Sequence, residues 1–175
     1  FSDSRNYLIG HANSTLTANA GTVYTIANAA TTSVGGTGTL NLNGPGVVVL
    51  DDSLNPNTFS GGSVLSGLGT VRINTATSLG ATSGAVTLKD ATLQVTGDIT
   101  SARNFTLASY GATISVDSTR TYSLGGLLSD GSPIGTLNKT GAGIFSLTRA
   151  AGNTYTGGTF VLSLIHISEP TRPRL

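Results

Sequence analysis

Apolar and polar residues alternate over short stretches along this chain. The commonest unit is two apolar positions separated by one residue, and it recurs at Tyr7/Ile9, Tyr24/Ile26, Leu40/Leu42, Val47/Val49, Val71/Ile73, Val86/Leu88, Leu93/Val95, Phe105/Leu107, Ile114/Val116, Tyr122/Leu124 and, more weakly, Ile144/Ser146. Alternation over a few residues places one face of a strand on a core and the other in water. No helical periodicity persists for three turns, so the pattern predicts an all-β fold of short strands.

Segments rich in glycine and aspartate separate these strands. They lie at residues 35–38, 51–53, 83–84, 89–90, 96–98, 125–126 and 130–133. Glycine supplies positive φ angles and aspartate bonds its own backbone, which are the properties that sharp corners require. Many short strands joined in this way are compatible with a sandwich, a barrel or a solenoid.

A long internal repeat distinguishes between these folds. Residues 39–50 align with 136–147 at an offset of 97, and residues 57–63 align with 153–159 at an offset of 96. The shared skeleton is T-L-N-x-x-G-x-G-x-x-x-L, a gap, then N-T-[YF]-[ST]-G-G-[ST]. Upstream matches at an offset of 98 include Arg5-Asn6-Tyr7 with Arg103-Asn104-Phe105. We therefore predict two related units, 5–65 and 103–161.

A repeat of this length favours a solenoid. Each coil of a solenoid contacts only its neighbours, so related units can follow one another along an axis, whereas a sandwich closes on itself. Coils of about twenty residues would place four or five coils in one period. We expect a parallel β-helix (β-solenoid) over residues 1–161, incomplete at both ends.

The residues shared by the two units are expected to be structural. They are Lys139, Gly141, Gly143, Asn153, Tyr155, Gly157 and Gly158 in the second unit, and Gly44, Gly46, Asn57, Phe59, Gly61 and Gly62 in the first. We expect the glycines to form corners and the two aromatic rings to pack against coil faces. The two asparagines are expected to bond backbone groups that a corner leaves free.

The second unit resembles a known repeat. Residues 138–143 (NKTGAG) followed by 153–159 (NTYTGGT) resemble the autotransporter-associated β-strand repeat, also called the passenger-associated transport repeat. The first unit departs from that pattern, with Leu42 in place of Lys139 and Phe59 in place of Tyr155. The resemblance covers about residues 1–161. It implies a right-handed β-helical passenger on a Gram-negative cell surface or in the extracellular space. The partner that it implies is a C-terminal outer-membrane β-barrel translocator.

The last fourteen residues do not follow the pattern. Residues 162–175 contain no glycine, two prolines and three charges. Residues 162–172 resemble the translated end of a sequencing adapter, so we expect 162–175 to be an unstructured, artefactual tail.

Composition and charge exclude several functions. The chain has nine Lys and Arg against eight Asp and Glu, and without the tail the two signs balance. A balanced charge disfavours nucleic-acid binding. The absence of cysteine excludes disulfides and thiolate metal sites. No apolar run is long enough to span a bilayer.

No catalytic set assembles in the sequence. His11 is the one histidine outside the tail, and we expect it to lie on the surface; Ser109, its repeat partner, cannot act as a base. The candidates for acid catalysis or calcium binding are Asp51, Asp52, Asp98, Asp117 and Asp130, which are scattered and are expected to lie in solvated turns. The chain has no G-x-S-x-G elbow and no phosphate-binding G-x-x-x-x-G-K-[ST] loop. We therefore expect no catalytic, cofactor or metal site.

These observations predict a structural function. The chain is expected to be a stalk segment of an autotransporter passenger, to support folding during export, and not to be an enzyme. One alternative is an adhesin whose faces bind a host glycan or matrix protein. Another is the scaffold of a passenger enzyme, a serine protease or polysaccharide lyase, whose catalytic part lies outside these residues.

Overall fold

The computed structural model describes residues 2–3, 7–10, 14–28, 31, 33–108, 111–131 and 134–162. These residues form nineteen strands and no helix, which confirms the predicted all-β class. The strands are β1 (Ser2–Asp3), β2 (Tyr7–Leu8), β3 (Ser14–Thr17), β4 (Val23–Ala27), β5 (Val34–Gly35), β6 (Leu40–Asn43), β7 (Val47–Asp51), β8 (Ser63–Ser66), β9 (Thr70–Ile73), β10 (Val86–Lys89), β11 (Thr92–Val95), β12 (Ile99–Ser101), β13 (Phe105–Leu107), β14 (Ala112–Val116), β15 (Thr121–Leu124), β16 (Leu128–Asp130), β17 (Leu137–Thr140), β18 (Ile144–Leu147) and β19 (Thr159–Val161). None of the described ranges contains a helix that could cross a membrane.

The strands stack into parallel sheets that wind around one axis. Sheet 1 has eight strands in the order β1-β4-β7-β9-β11-β14-β17-β19, and sheet 2 has six in the order β16-β13-β10-β8-β6-β3. Two shorter sheets, β2-β5 and β12-β15-β18, come between sheet 1 and sheet 2 in chain order, and we call them the third side. The chain thus passes repeatedly from sheet 2 to sheet 1 to the third side. This is the predicted β-solenoid, and it has about six turns.

Successive turns differ slightly in length. Paired residues along sheet 1, from the pair Val23/Val47 to the pair Leu137/Thr159, are between 21 and 25 residues apart. The strands keep their register throughout, so the corners between strands absorb the difference. The turns are therefore a little longer than the expected twenty residues.

The core consists of columns of similar side chains inside the solenoid. In sheet 2, Leu42 pairs with Leu65, Leu65 with Leu88, and Leu88 with Leu107, and all four are at most 1% exposed. Each buried leucine contributes roughly 1.5–3 kcal/mol relative to an exposed one. In sheet 2 the alternating pattern of the sequence therefore identifies the face of these strands that turns inward.

Two of the predicted strand faces are wrong. Val47 and Val49 face outward, and Val48 and Leu50 are buried at 3% and 1% exposure. The run of four apolar residues carries no alternation, and pairing with β4 selects the buried pair. Ile144 also faces outward, at 62% exposure, because it pairs with the outward-facing Thr121.

The two repeat units do not lie on the same sides of the solenoid. Strands β6 and β7 of the first unit lie in sheet 2 and sheet 1, whereas their counterparts β17 and β18 lie in sheet 1 and on the third side. Four turns along sheet 2, from Leu40 to Leu128, take 88 residues. The repeat offset of 97 residues is nine residues longer than these four turns. Each strand of the second unit therefore lies on the next side of the solenoid in chain order.

Leu68 provides a test of the corner geometry. It has a φ of +65° and is 79% exposed. In this left-handed region the Cβ of any residue other than glycine crowds the backbone. We expect Leu68→Gly to raise the free energy of unfolding by about 0.5–1 kcal/mol in denaturant titrations, because it relieves crowding without losing buried surface.

The matched control is Leu54→Gly. Leu54 is also exposed, at 69%, and its φ is not positive. Glycine there only increases the freedom of the unfolded chain, so the free energy of unfolding should fall. Equal losses in both variants would contradict the strain assigned to Leu68.

Candidate functional site

The shared glycines occupy matched places in the two units. Gly44 and Gly141 have φ angles of +96° and +73°. A Cβ at Gly44 would lie 2.4 Å from the carbonyl oxygen of Ala18, and one at Gly141 would lie 2.2 Å from that of Val116. Both glycines are therefore required by the close approach of the preceding turn and by the corner conformation.

The remaining shared glycines also form corners. A Cβ at Gly46 or Gly143 would lie 2.3 Å or 2.1 Å from a carbonyl oxygen of the preceding turn. The same holds at Gly61 and Gly157, while Gly62 and Gly158 have φ angles of +84° and +85°. In both units these glycines allow the backbone to bend and stack.

Asn57 bonds the backbone of the turns on both sides of it. Its Oδ1 accepts hydrogen bonds from the Val34 amide at 3.0 Å and from Asn28 Nδ2 at 2.7 Å. Its Nδ2 donates to the Ser78 carbonyl at 2.9 Å. Asn153 makes the equivalent bond, accepting from the Leu128 amide at 2.9 Å. Both side chains therefore bond corner backbone, which is the role expected for them.

Asn57 belongs to a buried polar chain that crosses three turns. Asn28 Nδ2 also donates to the Asn55 carbonyl at 2.6 Å, and Ser78 Oγ donates to Asp52 at 2.7 Å. Asn28, Asp52, Asn57 and Ser78 are each at most 5% exposed. We call these four residues the corner network. It lies where the chain leaves sheet 1, and its polar atoms are bonded to one another, to backbone or to the hydroxyls of Thr75 and Thr77.

Asp52 corrects an expectation from the sequence. It was expected in a solvated turn, but it is 3% exposed. Its carboxylate accepts hydrogen bonds from the hydroxyls of Thr75 at 2.8 Å, Thr77 at 2.6 Å and Ser78 at 2.7 Å. Those hydroxyls follow it by one turn of the solenoid, so the sequence around Asp52 gives no sign of them. A carboxylate occupied in this way is a structural acceptor and not an accessible general acid.

Arg103 is a buried residue whose role the sequence did not reveal. It is 2% exposed, and its guanidinium donates to the carbonyls of Gly84, of Gly80 at 2.9 Å and of Ala76 at 3.2 Å. Burial lowers the pKa of Arg103 from its ordinary value. Asp52 on the preceding turn bonds the same corner segment, so this long corner is held from both sides.

The signal that could have identified Arg103 is the repeat. Arg103 aligns with Arg5 at an offset of 98, which marks the position in both units. Arg5 lies outside the described residues, as do His11, Ser109 and the tail from Ser163 onward.

The two shared aromatic residues pack inward. Phe59 is fully buried in the core. Tyr155 is partly buried against the core, and its hydroxyl is hydrogen-bonded to Thr159. Neither ring is presented as a flat exposed platform, so neither offers a stacking surface for a ligand.

Lys139 occupies an inward position of the core. It pairs with Ile114 on one side and Val161 on the other, and its repeat counterpart is the buried Leu42. Its Nζ donates to the carbonyls of Thr140 at 2.7 Å and Gly141 at 2.8 Å. Burial lowers the pKa of the Lys139 ammonium. The lysine is therefore anchored to the corner that follows it.

Asp130 and Asp98 stabilise separate corners, while Asp117 accepts a hydrogen bond from Gln94 at 2.8 Å. Asp130 accepts hydrogen bonds from the hydroxyl and amide of Thr156, which lower its pKa. Asp98 accepts from the Thr121 amide at 2.8 Å and pairs with Arg120 at 3.3 Å, and both interactions lower its pKa. Within the described ranges no three His, Cys, Asp or Glu side chains are grouped closely enough to hold a metal ion.

No protein-family model, curated protein or solved structure matches the chain.

Asn57→Ala tests the corner network. The substitution leaves the Val34 amide, the Ser78 carbonyl and the Asn28 side chain without their buried partner. We expect the free energy of unfolding to fall by about 3 kcal/mol, measured by denaturant titration. Asn41→Ala, on the outward face of β6, should change it by less than about 0.5 kcal/mol. Similar losses in the two variants would refute the structural role of Asn57.

Lys139→Leu tests whether the inward column prefers an apolar side chain. The first unit carries Leu42 at this position, 1% exposed. We expect the substitution to raise the free energy of unfolding by about 1 kcal/mol, because it removes a partly buried charge and adds apolar contact. Lys89→Leu, on the outward face of β10, should have little effect. A loss of stability in Lys139→Leu would show that the bonds to the two carbonyls outweigh burial.

Proposed function

We propose that this chain is a structural stalk segment of an autotransporter passenger, displayed on the outer surface of a Gram-negative bacterium. The observation that carries the proposal is the contact pattern: every sheet strand pairs only with strands of the adjacent turns. A rod built in this way gains length turn by turn and needs no closing contact. The resemblance of residues 138–159 to the passenger repeat supports the same function.

The buried polar groups support a structural function as well. Asp52, Asn57 and Arg103 all bond side chains or backbone within the solenoid. In the described part of the chain no buried side-chain nitrogen or oxygen lacks a hydrogen-bond partner. Polar groups of this kind stabilise corners and are not directed towards a substrate.

The same contacts suit folding during export. Partners in sheet 1 are 21 to 25 residues apart, so each turn can dock on the previous one as soon as it emerges. Docking of successive turns outside the cell would oppose backward movement of the chain. The partner in this process is the outer-membrane translocator that the resemblance implies.

An adhesin-type surface is the second candidate. One observation favours it: an outward-facing cleft on sheet 1 lined by Asp51, Arg72, Asn74 and Thr96. No observation in the described residues favours the scaffold of a passenger protease or lyase.

A surface-display experiment tests the stalk. The chain is fused ahead of an outer-membrane translocator in Gram-negative cells, and the protease-accessible fraction on intact cells is measured. We expect Leu93→Asp to reduce display several-fold, because Leu93 is fully buried and the charge prevents stacking. Leu54→Asp makes the same change at a residue that is 69% exposed and should leave display unchanged. Equal display of both variants, or hydrolysis of glycans or peptides by the chain, would overturn the proposal.

A further inference from the structure

A polar cleft lies on the outward face of sheet 1, where β7, β9 and β11 run side by side. Its outward side chains are Val49, Asp51, Arg72, Asn74 and Thr96, and its volume is about 200 Å³. Neighbouring strands are about 4.8 Å apart, and outward residues on one strand are roughly 7 Å apart. The cleft therefore presents donors and acceptors at fixed spacings on rigid strands.

The polar groups in the cleft are held in place by hydrogen bonds to one another, to Gln94 and to backbone. Asn74 Nδ2 donates to Asp51 Oδ1 at 2.9 Å, and Arg72 Nε donates to Gln94 Oε1 at 2.8 Å. Thr96 Oγ1 donates to the Ile73 carbonyl at 3.0 Å. These bonds fix the side chains before any ligand arrives, which lowers the entropic cost of binding.

The same groups keep unused hydrogen-bonding capacity. Among the described residues, neither terminal nitrogen of Arg72 has a partner. Asp51 accepts from Asn74 and from the amide and side chain of Ser53, and a carboxylate with about four lone-pair sites can accept a further hydrogen bond. Thr96 Oγ1 donates its proton and keeps its lone pairs as acceptors. Hydrogen bonds from Ser53 and Asn74 lower the pKa of Asp51, so its carboxylate is ionised at neutral pH.

The chemistry of the cleft selects a class of ligand. One carboxylate and one guanidinium balance in charge, so the cleft favours a neutral ligand over an anion or a cation. Adjacent acceptors and donors match vicinal hydroxyl groups, which donate to Asp51 and accept from Arg72. The partly exposed methyl groups of Val49 offer an apolar surface to ring C–H groups. We propose that this cleft binds one neutral pyranose unit of a glycan.

The inference that this cleft binds a saccharide does not depend on the proposed stalk function. Display of the chain on cells and saccharide binding by the purified chain are separate measurements, so either proposal can fail alone.

The test is an NMR titration of the full chain labelled with ¹⁵N. The probes are the methyl pyranosides of glucose, galactose, mannose and N-acetylglucosamine. We expect at least one probe to shift the amide signals of residues 49–51, 72–74 and 94–96, with a dissociation constant in the millimolar range, since one ring fills an open cleft. Arg72→Ala should weaken binding about tenfold or more, because it removes charge-assisted donors.

Arg120→Ala is the matched control. Arg120 is also an exposed arginine, but it pairs with Asp98 and neither residue lines the cleft, so its loss should leave the affinity unchanged. Unchanged spectral dispersion in both variants establishes that each one is folded. Absence of shifts with all four probes, equal affinity in Arg72→Ala, or tighter binding of methyl glucuronide than of the neutral probes would overturn the proposal.

Discussion

The constraint on which this structure depends is that each turn must hydrogen-bond in register to the turn before it. The registers hold along sheet 1 even though the turns vary from 21 to 25 residues. Each inward side chain therefore packs on its own equivalents, as in the column of Leu42, Leu65 and Leu88. The same spacing brings backbone onto backbone at the corners, where only glycine fits at Gly44 and Gly141.

Corners present the opposite problem to strands, because they leave backbone groups without ladder partners. The long corner between β9 and β10 is the clearest case. Asp52, on the preceding turn, accepts hydrogen bonds from hydroxyl side chains of this corner, and Arg103, on the following turn, donates to carbonyls of the same corner. Buried charges are costly unless their hydrogen-bonding capacity is used, and both of these are extensively bonded. The solenoid thus tolerates an irregular corner because the turns on either side complete its bonding.

The sequence predicts features that depend on nearby residues, such as the inward face of a strand. It does not predict features that depend on pairing with a neighbouring turn. Alternation identifies most inward faces, and the residue type of Asn57 indicates that it bonds corner backbone. The four-residue apolar run beginning at Val47 cannot indicate its own buried face, because pairing with β4 decides it. The burial of Asp52 depends on hydroxyls 23 to 26 residues later. For the saccharide cleft, the sequence gives no signal at all, because its side chains come from three different turns.

The relation between the repeat and the turns explains how one rod can combine a regular interior with a varied surface. The repeat takes 97 residues where four turns take 88, so the second unit begins one side further round. Inward positions accept this shift, because every side requires apolar residues and corner glycines. Outward positions are under no such requirement, so their residue types differ between the units. Val49 and Asp51 correspond to Ser146 and Thr148. A cleft formed on one side of the rod is therefore not reproduced by the repeat. Stacking uses the inward faces of these strands and the proposed cleft uses their outward faces, so the proposed binding site requires no change in the core.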